Sequence, residues 1–348
     1  MELGIEIIFR ISIIYILITV GYIIRTQLRD PNNSKLISYL TKIILYFFFP
    51  FLILSSILNA QIPNQNILLI TIIFCLVVMF SAFFALKFYS KTKSIPDTTL
   101  GSMYLAVTFP NSVFLPFPLI LLLIGPSGLI SATLFAVTII IVQNSLGSYI
   151  GINYGTPENL ESISFHKNSL RIMKKILLFP PAFSMIVAFL IKWIFDIQNI
   201  EQLINLLPLI DLDVNLASNL INTVNWVSLI FALILVGITF DFSYLKSKDH
   251  EKSHYLVQTT IFRLIIPPAA GLLCLILLYA LLHDNSVFSE DTIIPIIIQA
   301  ISGPAVINIA FSKQFNLNVG FVSLYITVIT IISLIITPFI ILFSLLII

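Results

Sequence analysis

The sequence has few charged residues and few cysteines for its length. Lys, Arg, Asp and Glu make up 10% of the 348 residues, against about 25% in soluble domains. This low share excludes an ordinary soluble domain, and the mean hydropathy of +1.06 is typical of a membrane protein. The two cysteines, Cys75 and Cys274, lie in separate apolar segments. Their placement excludes a disulfide framework and indicates apolar packing.

Residue patterns that carry catalysis or bind metals are also missing. No cluster of His and Cys has the spacing of metal ligands, and all four histidines fall in loops or at the ends of apolar segments. The sequence contains no Gly-rich phosphate loop and no nucleophile elbow, and its basic residues do not form a nucleic-acid-binding patch. We therefore predict a protein that is not an enzyme, has no cofactor or metal, and does not bind nucleic acid.

Ten long apolar segments occupy most of the chain. A membrane-spanning helix needs roughly 20 apolar residues, so the sequence predicts an all-α membrane protein of ten transmembrane helices that contacts membrane lipids. The predicted spans are residues 4–24, 36–58, 67–89, 98–124, 128–151, 172–195, 218–239, 255–282, 292–312 and 318–346.

Positive charge in the loops is restricted to every second loop. The intervening loops contain no Lys or Arg and carry Asp and Glu instead. Under the positive-inside rule, this pattern predicts a multi-pass protein of the cell membrane with both termini outside the cytoplasm. The basic loop residues are Arg25, Arg29, Lys35, Lys87, Lys91, Lys93, Lys167, Arg171, Lys246, Lys248, Lys252 and Lys313.

Five spans per half of the chain predict two repeats of opposite orientation. The second group of five enters the membrane from the opposite side, which makes it an inverted repeat. We assign residues 1–151 to the first repeat and residues 172–348 to the second. Residues 152–171 are polar and short, and we interpret them as a cytoplasmic linker.

The fourth and ninth spans are each interrupted by a proline at a matching position. Each opens on Asp-Thr, at Asp97 and Asp291, which we interpret as helix N-caps, and Pro110 and Pro304 each follow 13 residues later. A proline there removes a helical hydrogen bond, and lipid tolerates the defect only where protein or a water-filled cavity satisfies the freed backbone groups. Two broken helices at corresponding positions predict a transporter's substrate site.

Polar residues beside these breaks are candidate ligands for a carboxylate. The amide of Asn111, next to Pro110, either binds a substrate or caps the freed half-helix. Gly303 and Pro304 form either the second half of the site or a simple kink, and Asn308 faces either the crossing or a neighbouring helix. The N-terminus of each half-helix would present free N–H groups to an anion.

Three further candidate groups lie in other spans. Gln143 and Asn144 are adjacent in the fifth span, so one can face inward while the other faces a neighbouring helix. They make either interhelical hydrogen bonds or, through one of them, a contact with substrate or water. Lys42 and Arg263 either attract an anion or extend to lipid headgroups. Asp and Glu occur only in loops or near span ends, which disfavours proton or Na⁺ coupling, although carbonyl groups at the breaks could still bind Na⁺.

Sequences along the spans resemble the auxin efflux carrier family, which contains the plant PIN-FORMED proteins and prokaryotic relatives. The resemblance covers nearly the whole chain. It rests on the second, fourth, fifth, eighth and ninth spans, which read LISYLTKIILYFFFPFLILSSI, FPNSVFLPFPLILLLIG, VQNSLGSYIG, RLIIPPAAG and SGPAVINIAFSKQF. The large hydrophilic loop of many plant members is absent, so regulation through that loop is not implied.

The resemblance implies a fold of ten helices in two inverted repeats. In that fold, helices 4 and 9 are broken and cross at mid-membrane, with the substrate at the crossing. The family moves auxin or small dicarboxylates, and its members use the residue matching Asn111 for substrate contact. Relatives form homodimers, so the resemblance implies a homodimer here.

Together these patterns predict a secondary active or potential-driven transporter that exports a small organic anion by alternating access. The anion would be auxin-like, a monocarboxylate or a dicarboxylate. Two alternatives remain: a non-transporting membrane sensor that retains the ligand pocket, and a Na⁺-coupled carboxylate symporter.

Overall fold

The structure, a computed structural model, describes most of the chain as α-helix. It describes residues 2–27, 39–40, 42–59, 65–155, 180–197, 199–206, 214–240, 250–282 and 288–347. Within these ranges no β-strand occurs, and the only strand-like feature is an isolated bridge between Pro110 and Pro304. The prediction of an all-α protein is therefore confirmed for the described residues.

The helices follow the predicted segments closely. In chain order they are α1 (Glu2–Gln27), α2 (Phe49–Asn59), α3 (Gln65–Ser90), α4 (Asp97–Thr108), α5 (Pro116–Leu123), α6 (Leu129–Val142), α7 (Ser148–Tyr154), α8 (Pro180–Phe195), α9 (Ile200–Leu206), α10 (Val214–Thr239), α11 (His250–Leu264), α12 (Ile266–Leu282), α13 (Glu290–Ile301), α14 (Ile307–Gln314) and α15 (Val319–Ile347). Two π-helical turns, Ile44–Phe48 and Gln143–Gly147, continue into α2 and α7, and a 3₁₀ turn, Pro126–Gly128, precedes α6.

Within the residues that the structure describes, six helical stretches are long and apolar enough to cross a membrane. They are α1, α3, α6 with α7, α10, α11 with α12, and α15. The remaining predicted spans are broken by proline or are described over shorter apolar helices such as Tyr46–Asn59 and Phe183–Phe195. The number of ten spans and their inverted arrangement stay predictions.

The chain divides into two compact units, and each unit draws on both halves of the sequence. The first unit contains residues 1–64, 113–133 and 177–240. The second contains residues 65–112, 134–176 and 241–348. The breaks at Pro110 and Pro304 both belong to the second unit.

In the first unit, α1 and α10 pack at a glycine-to-glycine contact. A Cβ atom on Gly21 would lie 2.0 Å from the carbonyl oxygen of Ile234, and one on Gly237 would lie 2.0 Å from that of Ile18. Small residues let helix backbones approach closely in a membrane, where van der Waals packing drives helix association. Only glycine fits at these two positions.

Proline also shapes helix α2 of the first unit. Pro50 has no N–H to donate to the carbonyl of Tyr46. Directly before it, the N–H of Phe49 bonds to the carbonyl of Ile44, five residues earlier, which closes a π-helical turn. At the other end of α2, the ammonium group of buried Lys192 donates to the carbonyl oxygen of Leu58 at 2.9 Å. The positive charge lies where the helix dipole is negative.

In the second unit, α3 packs on α12 and α4 packs on α7 and α15. Aromatic side chains fill the core between them, including Phe74, Tyr104, Phe109, Phe321 and Tyr325, all with at most 1% of their surface exposed. The same core includes side chains of α4 and α13, the helices that lead into the two breaks.

A pair of prolines separates α11 from α12 in the same unit. Pro267 and Pro268 cannot donate to the carbonyls four residues earlier, and the helix is interrupted by a turn at Ile265. Arg263 lies in the last turn of α11, directly before this interruption.

Candidate functional site

The two proline breaks lie side by side as short antiparallel segments in the second unit. The N–H of Asn111 donates to the carbonyl of Gly303 at 2.7 Å, and the N–H of Ala305 donates to the carbonyl of Phe109 at 2.9 Å. Backbone groups freed by one break are thus satisfied by the other. Both predicted breaks are confirmed, and they meet at Pro110 and Pro304.

The backbone is extended just before each proline. A residue that precedes proline is disfavoured in the α conformation. Phe109, directly before Pro110, has φ −105° and ψ 104°. Ser302, the C-cap residue of α13, lies two positions before Pro304 and is also extended, with φ −64° and ψ 151°. Gly303 follows in a confined place, because a Cβ atom there would lie 2.6 Å from Thr330 Oγ1 and 2.8 Å from Thr330 Cα.

The helix starts differ from the predicted N-caps. Helix α4 begins at Asp97 with Pro96 as its N-cap, and α13 begins at Glu290 with Ser289 as its N-cap. No side chain caps either helix by a hydrogen bond. Asp97 and Asp291 are therefore first-turn residues, and their carboxylates stabilise the helices through the dipole. The interpretation of both residues as N-caps was wrong.

Asn111 is buried, with 4% of its surface exposed. Its N–H donates to Gly303, and its carbonyl accepts the hydroxyl of Ser302 at 2.6 Å. Both main-chain groups of Asn111 are thus used in joining the two breaks, and substrate contact by its side-chain amide stays a prediction.

Asn308 and Gln143 form a buried amide pair next to the first break. Gln143 Nε2 donates to Asn308 Oδ1 at 2.7 Å, and Asn308 Nδ2 donates to the carbonyls of Leu105 at 3.0 Å and Phe109 at 3.4 Å. Asn308 is fully buried and Gln143 is 3% exposed. Gln143 thus makes an interhelical hydrogen bond, and Asn308 bonds to the backbone at the first break; substrate contact by either side chain stays a prediction.

Asn144 does not join this pair. Its Nδ2 donates to the carbonyl of Ile140 in its own helix at 2.8 Å. The π-helical turn Gln143–Gly147 starts at these two residues, and such single turns are frequent at functional sites. This turn was not predicted from the sequence.

The two candidate cations have opposite environments. Arg263 is fully buried in the second unit and donates to the carbonyls of Ala300 and Ser302. The predicted alternative that its side chain extends to lipid headgroups was therefore wrong. Lys42 belongs to the first unit, is exposed, and has its Nζ 6.0 Å from the ring centroid of Tyr39. Exposure is consistent with a side chain that extends to headgroups.

The half-helix that follows Pro110 lacks the free N–H groups predicted for anion binding. Pro116 and Pro118 occupy its first turn and have no N–H. The N–H of Phe117 donates to Val113, and that of Leu119 donates to Leu115. In the half-helix after Pro304, the N–H of Asn308 is also bonded, to the carbonyl of Ala305. The prediction of an anion-binding N-terminus was therefore wrong for the first break.

Three buried hydroxyl groups, those of Thr108, Ser302 and Ser312, were not predicted from the sequence. Ser302 links the breaks, as described above. Thr108 Oγ1 and Ser312 Oγ are buried and have no hydrogen-bond partner among the residues that the structure describes. The Ser-Gly-Pro sequence before the second break is a signal that could have indicated Ser302.

Within the described part of the chain, no three His, Cys, Asp or Glu residues form a group that could hold a metal ion. Both cysteines are buried thiols. The chemistry of the site is therefore that of amides, hydroxyls, backbone carbonyls and one guanidinium group.

Apolar helices broken at paired prolines, with irregular backbone enclosed by protein, are typical of secondary membrane transporters. Residues 6–341 match a family model described as membrane transport protein. The chain belongs to this family, and the predicted resemblance to auxin efflux carriers is confirmed. A protein described as an uncharacterized transporter from Methanothermobacter thermautotrophicus is 22% identical over 330 residues, which cover 93% of this chain and 94% of that protein. The protein is thus a multi-pass membrane transporter, which is consistent with the prediction that it is not an enzyme.

Proposed function

We propose that the protein exports a small organic anion by alternating access, with the anion bound where the two proline breaks meet. The observation that supports this most strongly is the reciprocal pair of hydrogen bonds that joins Asn111 to Gly303 and Ala305 to Phe109. Irregular backbone costs several kcal/mol per unsatisfied group in lipid, so a chain that keeps two such breaks together has a functional reason for them.

The proposed site assigns distinct roles to the candidate residues. The side-chain amide of Asn111 contacts the anion, because an amide can donate to a carboxylate without a buried charge of its own. Pro110, Gly303 and Pro304 shape the backbone around it. The amide pair of Gln143 and Asn308 supports the first break.

The proposed arrangement in the membrane is ten spans in two inverted repeats, with residues 152–171 as the linker and both termini outside the cytoplasm. Alternate basic loops support this orientation. An inside-negative potential would then favour the exit of an anion by about 2.3 kcal/mol per charge per 100 mV. We further propose a homodimer, on the basis of the family alone.

Two alternatives compete with this proposal. A sensor would keep the pocket and show no flux. A Na⁺-coupled carboxylate symporter is supported by one observation, the two buried hydroxyls of Thr108 and Ser312 that have no hydrogen-bond partner among the described residues, since hard cations prefer oxygen ligands.

The deciding experiment is flux into and out of proteoliposomes with labelled indole-3-acetate, malate and malonate. Potassium and valinomycin set the membrane potential, choline replaces Na⁺, and protein-free liposomes are the control. We expect flux of at least one carboxylate in choline, with a roughly 50-fold change in its equilibrium distribution per charge for 100 mV. Flux that requires Na⁺ would favour the symporter, and binding without flux would favour the sensor.

A further inference from the structure

Arg263 is a fully buried cation that bonds to the backbone of the second break. Its Nη2 donates to the carbonyls of Ala300 and Ser302, both at 2.9 Å, and its Nε donates to Ser302 at 3.2 Å. Both acceptors lie at the C-terminal end of α13, where the helix dipole is negative and the last carbonyls have no partner within the helix.

Pro304 explains why a donor is needed at this place. In a continuous helix the carbonyl of Ala300 would accept from the N–H of the residue four positions later, which is Pro304. Proline has no N–H. The guanidinium group of Arg263 takes the place of the missing backbone donor.

The contact also extends to the first break through Ser302. Arg263 holds the carbonyl of Ser302, and the hydroxyl of Ser302 donates to the carbonyl of Asn111 at 2.6 Å. A chain of hydrogen bonds therefore runs from α11 through the end of α13 to the residue proposed to bind the anion.

The guanidinium group has no anionic partner among the residues that the structure describes. The ionisable side chains near it are Tyr325 and Cys75, which are neutral at physiological pH. Its remaining nitrogen, Nη1, is buried and has no hydrogen-bond partner in the described part of the chain. The group is thus a cation held on one edge by carbonyl oxygens, the ligands that also replace the hydration shell of inorganic cations in channels.

We infer that Arg263 is a tethered cation that fixes the meeting point of the two breaks, and that its carbonyl site binds a free guanidinium ion when the side chain is removed. Arg263 is a positioning residue in this role, since it acts through Ser302 on Asn111. The inference does not depend on the transported substrate, and its test does not measure transport.

The first test is hydrogen–deuterium exchange of the protein in nanodiscs, read at the amides of Asn111 and Ala305. Arg263→Met keeps the volume of the side chain and removes the charge, whereas Arg263→Lys keeps the charge. We expect roughly ten- to hundredfold faster exchange in Arg263→Met, from the loss of hydrogen bonds to a charged group, and most of the protection restored in Arg263→Lys. Lys192→Met is the matched control, because it removes another buried cation that donates to a helix-end carbonyl, and it should leave both amides unchanged.

The second test is chemical rescue of Arg263→Ala. The variant is purified with millimolar methylguanidinium, which is then exchanged for choline of the same concentration. We expect slow exchange at Asn111 and Ala305 with methylguanidinium and fast exchange with choline, and no response of the wild-type protein to either ion.

The inference is wrong if Arg263→Met exchanges at the wild-type rate, since the side chain would then only fill space. It is also wrong if folded Arg263→Ala shows no difference between the two ions. If Arg263→Ala folds in neither buffer, the comparison of the Met and Lys variants decides.

Discussion

The two proline breaks show the same backbone defect supported by two different side chains. At the first break, the neutral amide of Asn308 donates to the carbonyls of Leu105 and Phe109. At the second, the guanidinium group of Arg263 donates to the carbonyls of Ala300 and Ser302. One break is supported by a dipole and the other by a charge.

The difference shows that hydrogen-bond satisfaction alone does not decide which donor is used. An amide can satisfy two carbonyls without a desolvation cost for charge, whereas a buried guanidinium group carries such a cost. The second break nevertheless has the charged donor. Both donors lie at the C-terminal end of a helix, but only at the second break is the donor a charge that can interact with the helix dipole. Arg263 also connects to Asn111 through Ser302, whereas Asn308 bonds to Leu105 and Phe109.

The largest expected effect on stability comes from removing the charged donor. Arg263→Ala leaves two carbonyls without that donor, at about 1–3 kcal/mol each. Asn308→Ala should cost less, about 1–3 kcal/mol in total, because the carbonyls of Leu105 and Phe109 keep the N–H groups of Phe109 and Ala305, while Gln143 Nε2 loses its acceptor. Thermal unfolding in nanodiscs measures which variant loses more stability. A larger drop in melting temperature for Asn308→Ala than for Arg263→Ala would contradict the view that the charged donor contributes more.

The next effect concerns transport rather than stability. Asn111→Ala removes the proposed hydrogen bond to the anion, worth about 1.5–3 kcal/mol, and should lower the affinity for a transported carboxylate by one to two orders of magnitude. Expression and fold should be retained. Asn144→Ala is the control, since Asn144 bonds to its own helix. Wild-type kinetics in Asn111→Ala would assign the amide to capping of the half-helix.

A smaller effect is expected from a single methyl group at the second break. Gly303→Ala would place its Cβ atom 2.6 Å from Thr330 Oγ1 and 2.8 Å from Thr330 Cα, so the backbone has to shift at a cost of about 1–3 kcal/mol. Gly147→Ala is the matched control, because its nearest contact would be an ordinary 3.4 Å to the ring of Phe311. Equal melting temperatures for the two variants would show that the second break is not tightly packed.

The smallest effect is the coupling within the amide pair of the first break. A double-mutant cycle of Gln143→Ala and Asn308→Ala should give an interaction free energy of about 0.6 kcal/mol and at most about 1.7 kcal/mol, the average and the maximum found for interhelical hydrogen bonds in a membrane protein. Additive effects of the two substitutions on the free energy of unfolding would mean that the 2.7 Å contact contributes nothing to stability.

The breaks were predictable from the sequence, because proline acts locally through its missing N–H and its effect on the preceding residue. The matching Asp-to-Pro spacing predicted helix breaks at Pro110 and Pro304, and both helices are broken there. The same reasoning failed at the helix starts, since Pro96 and Ser289 precede the two Asp residues and serve as N-caps. A choice between neighbouring residues as N-cap depends on backbone angles that a sequence pattern does not specify.

The partners of the polar side chains were not predictable. Nothing in the sequence around Arg263 distinguishes a side chain that reaches lipid phosphate from one that turns to a carbonyl 39 positions later in the chain. Asn308 had two alternatives for the same reason. These contacts depend on packing between distant segments, and the count of ten inverted spans stays a prediction as well.

The π-helical turn Gln143–Gly147 changes the direction in which side chains point on the two sides of it in the fifth apolar segment. One extra residue in a helix shifts the phase of everything after it by about 100°. Gln143 therefore reaches Asn308 while Gly151, on the far side of the turn, lies so close to Phe315 that a Cβ atom would be 2.3 Å from its ring. A single-residue deletion inside the turn would restore regular α-helical phase, and the segment could then satisfy only one of these two neighbours.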